Sequence, residues 1–64
     1  MEREELIFKA LKREIIKSAK KGETCYYWDV TELNRTLVKL VIELLEEDGK
    51  TVTNKGENFK VIHW

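Results

Sequence analysis

A chain of 64 residues with 12 basic and 12 acidic side chains has room for one small domain, residues 1–64, and carries no net charge. This balance excludes a strong general attraction to nucleic acid or to a membrane surface, and a hydrophobic content of 42% argues against disorder. Cys25 is the only cysteine, which excludes an internal disulfide framework and leads us to expect a cytoplasmic protein. We find no secretory signal. No apolar run approaches the length of about 20 residues needed to cross a bilayer, so we expect no membrane partner.

Residues 2–21 predict a first helix. Apolar side chains recur along one side at helical spacing, and Gly22 follows as a predicted left-handed cap. The apolar stripe contains Ile7, Phe8, Leu11, Ile15 and Ala19. We therefore expect one face of this helix to pack on a core and the other to meet solvent.

The outer side of this first helix is basic. Six cationic residues lie away from the apolar stripe: Lys9, Lys12, Arg13, Lys17, Lys20 and Lys21. Positive charge along a helix can follow a phosphate backbone, so nucleic-acid binding is one functional hypothesis. The other interpretation is an ordinary solvated face, because Glu14 interrupts the charges and no recognition-helix pattern accompanies them.

Residues 24–29 predict a strand, because they are rich in aromatic and β-favouring types and too few for a helix. Alternation along the strand places Tyr26 and Trp28 on one face, and Cys25 and Tyr27 on the other. Which of the two faces is buried depends on the register of the neighbouring strands.

A second helix is predicted from a capping box at Asp29 and Glu32 to about Asp48, where Gly49 ends it. Its apolar residues cover about half of the circumference or more, which is wider than the stripe needed to sit on one sheet. The surplus lies on the outer side, at Val38, Ile42 and Leu45. It receives either the first helix of the same chain or the same helix of a second copy. A homodimer is the leading expectation for the assembly.

The C-terminal residues predict a β-hairpin, with strands at 50–53 and 58–64 and a turn around 54–57. Pairing Val52 with Phe59 puts every second residue of the last strand, from Phe59 on, on the same face as Val52. The opposite face then shows Thr51, Thr53, Lys60, Ile62 and Trp64.

The predicted fold is a two-layer α+β sandwich of the order α-β-α-β-β. The last strand is the most apolar, so we place it in the centre, antiparallel to both neighbours, with strand order 1-3-2 and both helices on one face. The other face is left uncovered, and with these registers it carries an apolar patch of Tyr27, Ile62 and Trp64, with Cys25 nearby. Contiguous exposed aromatic residues mark contact surfaces. The alternative is a register shift that makes these same residues core.

Residue patterns for catalysis are absent from the sequence. His63 is the only histidine, and no spacing of metal ligands or phosphate-binding glycine loop accompanies it. Cys25 and His63 are the one conceivable nucleophile and base. The registers above direct them to opposite faces, so we expect neither an enzyme nor a cofactor or metal site.

Three segments carry a resemblance. The run 19–23 (AKKGE) leads into an aromatic strand, a Leu-rich helix ends at Gly49, and the closing strand 59–64 (FKVIHW) ends in tryptophan. In these features the chain resembles small uncharacterised proteins of tailed bacteriophages. The resemblance implies a viral origin, a location in the host cytoplasm and an accessory or structural role without catalysis.

These observations predict a protein-interaction module that binds a second copy of itself or a host or viral protein. The alternative is a small nucleic-acid-binding protein that uses the basic side of the first helix.

Overall fold

The structure, a computed structural model, describes residues 3–64. Two helices and three strands follow one another in the predicted order: α1 Arg3–Lys20, β1 Cys25–Asp29, α2 Arg35–Glu47, β2 Thr51–Asn54 and β3 Phe59–His63. Strand β3 is central and antiparallel to both neighbours, so the sheet has the order β1-β3-β2. The predicted α+β class and strand order are confirmed. The predicted helix start at residue 2 lies outside the described residues.

Both helices end where the sequence predicts, at a glycine. Gly22 has a φ of +89°; its N–H donates to the carbonyl of Ala19, and the N–H of Glu23 donates to the carbonyl of Ser18, both at 3.0 Å. This pair of bonds is the Schellman arrangement, which requires a left-handed residue that glycine supplies without strain. The same arrangement closes α2 at Gly49, also at a φ of +89°.

Helix α2 begins later than the sequence predicts. Its cap is Asn34, whose Oδ1 accepts a hydrogen bond from the N–H of Leu37 at 2.8 Å. The predicted cap at Asp29 is wrong, because Asp29 stays in β1 opposite Phe59. The following N–H, of Val30, is held by the carbonyl of Asn58 at 2.8 Å. The chain therefore leaves the sheet through a turn, and the helix is five residues shorter at its start than a cap at Asp29 would make it.

The hairpin register also differs from the prediction. Val52 pairs with Ile62 rather than Phe59, and Lys55 continues the ladder by donating its N–H to the carbonyl of Phe59 at 3.0 Å. The turn is therefore the three residues 56–58. The partner of Val52 moves by three positions, an odd number, so the two faces of β3 are exchanged.

This register corrects the predicted surface. Ile62 has no exposed surface and lies in the core, and Trp64 is half-buried and packs against it. Neither residue is on the uncovered face. The physical reason is the gain from burying Ile62 under the helices, where the fully enclosed side chain contributes about 1.5–3 kcal/mol.

One apolar core joins the two helices to the inner face of the sheet. Helix α1 packs over β1, and α2 packs over β2 and beside α1. The buried residues of the core are Leu11, Ile15, Trp28, Val30, Val38, Val41, Leu45 and Ile62. Of the predicted surplus on α2, Val38 and Leu45 are buried and Ile42 packs against them. These three residues pack within one chain, and the prediction that they receive the first helix stays a prediction.

Candidate interaction surface on the open sheet face

The side of the sheet away from the helices carries no covering element in the described chain. Because Tyr26, Trp28 and Ile62 point into the core, alternation directs their neighbours outward. We call this surface the open face: Cys25, Tyr27 and Asp29 of β1, Phe59, Val61 and His63 of β3, Thr51 and Thr53 of β2, and Lys55. Strand pairing arranges these nine residues in three rows of three.

An exposed aromatic pair, Tyr27 and Phe59, dominates the open face. Tyr27 is 58% exposed and Phe59 is 44% exposed, whereas Val61, the cross-strand partner of Tyr27, is buried at 6%. The two rings and Lys55 line a shallow cleft. The ammonium of Lys55 lies 5.1 Å from the centroid of the Tyr27 ring, a cation–π contact.

Of the apolar patch predicted for this surface, only Tyr27, with Cys25 beside it, is on it, together with the bordering Thr51 and Thr53. Sequence reasoning missed Phe59 and Val61. The segment Phe59 to Ile62 has an apolar residue on either face, so alternation alone cannot choose between the two faces. The signal that distinguishes the two faces is the length of the turn, and the sequence around Gly56 is compatible with more than one turn length.

Opposite charges lie at the two edges of one row of the open face. Asp29 on β1 pairs with Phe59, and Lys55 continues β2 on the other side of Phe59. The hydroxyl and the N–H of Thr31 donate to the Asp29 carboxylate and hold its pKa below the ordinary value. Asp29 is therefore ionised at neutral pH, about 10 Å or two strand spacings from Lys55.

The cysteine and the histidine do share a face, contrary to the prediction. Cys25 and His63 are direct cross-strand partners on the open face. The hydrogen bond of the His63 ring goes to Thr53, with 3.0 Å between Nε2 and Oγ1. Within residues 3–64 no three histidine, cysteine or acidic side chains are grouped to hold a metal ion. No hydrogen bond joins the Cys25 thiol to the His63 ring, and such a bond is what would activate the thiol as a nucleophile.

The basic side of α1 is partly neutralised by contacts within the chain. The ammonium of Lys12 lies 3.3 Å from Oδ1 of Asp48, and that of Lys17 lies 3.7 Å from Oε1 of Glu14. The four other members of the predicted set are exposed, Lys9, Arg13 and Lys20 on the helix and Lys21 directly after it. Binding of nucleic acid by this side stays a prediction.

The ion pairs at Asp48 lead to an expected pH dependence. Hydrogen bonds from Lys50, first, and Lys12 hold the pKa of Asp48 below its ordinary value. Because the folded state has the lower pKa, the unfolded state binds more protons as the pH falls below about 4. The contribution of these pairs is therefore present above that pH and lost as the pH falls through the folded-state pKa.

We expect Asp48→Asn to reduce the dependence of unfolding free energy on pH in the acidic range, measured by urea denaturation at a series of pH values. Glu47→Gln is the matched control, since Glu47 is the neighbouring exposed carboxylate. Equal slopes for the Asp48 variant and the unchanged protein would contradict the assignment.

Comparison of the chain with protein-family models, with curated proteins and with solved structures found no match. Neither described helix is long and apolar enough to cross a membrane.

Proposed function

We propose that this protein is a non-catalytic interaction domain that binds another protein through the open face. The observation that carries the proposal is the aromatic pair, Tyr27 and Phe59, exposed side by side on a sheet that has helices on its other face only. Tyrosine and phenylalanine are enriched at the centres of protein interfaces, where burying a large ring costs little side-chain entropy. A cytoplasmic location, inferred from the single free cysteine, and a phage origin belong to the same proposal.

The domain does not need this surface for its own core. Nine apolar residues of the described chain are buried away from the open face, and eight of them form one cluster between the helices and the inner face of the sheet. The rings of the aromatic pair contribute little to folding while exposed, yet burying them against a partner would remove a large apolar area from water. The aliphatic side chain of Lys55, which reaches across to Tyr27, borders the patch with a cation.

Photo-cross-linking tests the proposal directly. Phe59 is replaced by photoreactive benzoylphenylalanine, and the purified protein is irradiated alone and in an extract of the producing cells. As the matched control, Ile16 is replaced in the same way, because Ile16 is a comparably exposed apolar residue on α1, at 51%. We expect discrete protein adducts from position 59, none from position 16, and loss of the adducts when Tyr27→Ser is added. Adducts from position 16 alone, or from neither position, would contradict the proposal.

A further inference from the structure

The charge pattern of the open face is complementary to itself. One row runs from Asp29 through Phe59 to Lys55, acidic at the β1 edge and basic at the β2 edge. Two copies placed face to face with a twofold axis parallel to β3 bring β1 of each copy over β2 of the other. Both ends of the row then meet their opposites, and Phe59 and Val61 meet the same residues near the axis.

We propose that the partner on the open face is a second copy of this chain, docked in this orientation with Asp29 beside the partner's Lys55 and Lys55 beside the partner's Asp29. This inference rests on the proposed function and names the partner. Such a contact is isologous, the commonest closed arrangement in homo-oligomers. It makes a β-sandwich whose two sheets run nearly parallel.

The second possible twofold orientation has no such complementarity. An axis perpendicular to the strands places β1 over β1 and reverses the rows, so Asp29 faces the row of Cys25 rather than a cation. An ionised aspartate buried there with hydrogen bonds from Thr31 but no cation is unfavourable. The charges therefore select the axis parallel to β3.

The distances permit the proposed pairs. Sheets packed face to face lie about 10 Å apart, a gap that an aspartate and an extended lysine side chain span together. Lys55 has to leave its own Tyr27 ring, which gives up an exposed cation–π contact. The ring is then free to pack over the partner's Thr53.

The size of the surface makes the predicted dimer weak. Three strands about 4.8 Å apart and five residues long at about 3.4 Å each cover roughly 250 Å² in projection. Each partner in a standard interface buries about 800 Å². We therefore expect dissociation constants of roughly micromolar to millimolar, so the dimer separates on dilution.

Charge reversal tests the pairing. Lys55→Asp places two acidic residues together twice in the dimer, and we expect it to weaken self-association about tenfold. Asp29→Lys places two lysines together twice and weakens it similarly. A mixture of the two variants forms a heterodimer in which both contacts are attractive again, with affinity within about threefold of the unchanged protein. Sedimentation equilibrium of each protein and of the mixture measures these constants.

Net charge is controlled with residues far from the open face. Lys9→Asp and Glu43→Lys change the net charge by the same amounts on exposed helix positions. We expect that neither variant shows the tenfold loss of self-association, and that mixing the two variants does not strengthen association.

Asp29→Lys also removes the acceptor for Thr31 and can impair folding. Asp29→Asn keeps the side-chain oxygen that accepts this bond, so adding it to Lys55→Asp relieves the repulsion in a folded chain. We expect the double variant to associate more tightly than Lys55→Asp alone. The inference is overturned if the double variant associates no more tightly than Lys55→Asp alone and the mixture of the two charge-reversal variants also recovers no affinity.

The outcomes separate this inference from the proposed function. If the protein stays monomeric up to about 1 mM, or if the position-59 adducts contain only other proteins, the proposal that the partner is a second copy is overturned. The open face then still stands as a binding surface for another protein. Association that persists unchanged in the Tyr27→Ser, Phe59→Ser variant, with no adducts from position 59, overturns both.

Discussion

Replacing Ile62 by alanine will lower the free energy of unfolding by about 2–5 kcal/mol, because the side chain is fully buried and the truncation leaves a cavity between the sheet and the helices. For 64 residues the whole stability is about 3–10 kcal/mol. The loss will therefore range from about a fifth of the total stability to all of it. Urea denaturation followed by circular dichroism measures the change.

Phe59→Ala is the control within the same strand. Phe59 is 44% exposed on the opposite face, so its truncation will cost about 1 kcal/mol or less. The order of the two effects reports the hairpin register, since a register that paired Val52 with Phe59 would bury Phe59 and expose Ile62. A larger loss for Phe59→Ala than for Ile62→Ala would contradict the register described here.

Leu45→Ala will cost a similar 2–5 kcal/mol, and the cost will not depend on protein concentration. Leu45 has no exposed surface and belongs to the core shared by α1, α2 and the sheet of one chain. If α2 instead packed against a second copy, dilution would lower the stability of the unchanged protein by mass action. Thermal unfolding of the Tyr27→Ser, Phe59→Ser variant at protein concentrations spanning about two orders of magnitude distinguishes the two, because the proposed open-face dimer would by itself make the midpoint of the unchanged protein depend on concentration.

Leu40→Ala is the control on the same helix. Leu40 is 37% exposed, so its truncation will lower the unfolding free energy by about 1 kcal/mol or less. Equal losses at Leu40 and Leu45, or a midpoint for the Tyr27→Ser, Phe59→Ser variant that falls on dilution, would contradict packing of α2 within the chain.

Local signals in the sequence were sufficient for the elements and their order. The apolar period of α1, the glycines at 22 and 49 and the aromatic strand at 25–29 depend on interactions within a few residues. Strand order followed because the last strand is the most apolar and occupies the centre. The faces of β1 were also predictable, since alternation within one strand needs no partner.

The start of α2 was not predictable from capping chemistry alone. Asp29 with Glu32 and Asn34 are both suitable helix caps in the sequence. The choice between them is made by the sheet, because the pairing of Asp29 with Phe59 and the bond from Val30 to Asn58 keep the earlier residues extended. Tertiary hydrogen bonds therefore overrode a plausible local motif.

The sequence by itself determined the class of fold, the strand order and the division of β1 into a face with Tyr26 and Trp28 and a face with Cys25 and Tyr27. Only the tertiary structure decided that Phe59 and Val61, rather than Ile62 and Trp64, share that face. The physical reason is that β3 has apolar residues on both sides, so its parity depends on the three-residue turn and on which side chain fills the space beneath the helices. A shift of the strand pairing by an odd number of residues leaves every element in place and exchanges the surface on which the proposed function depends.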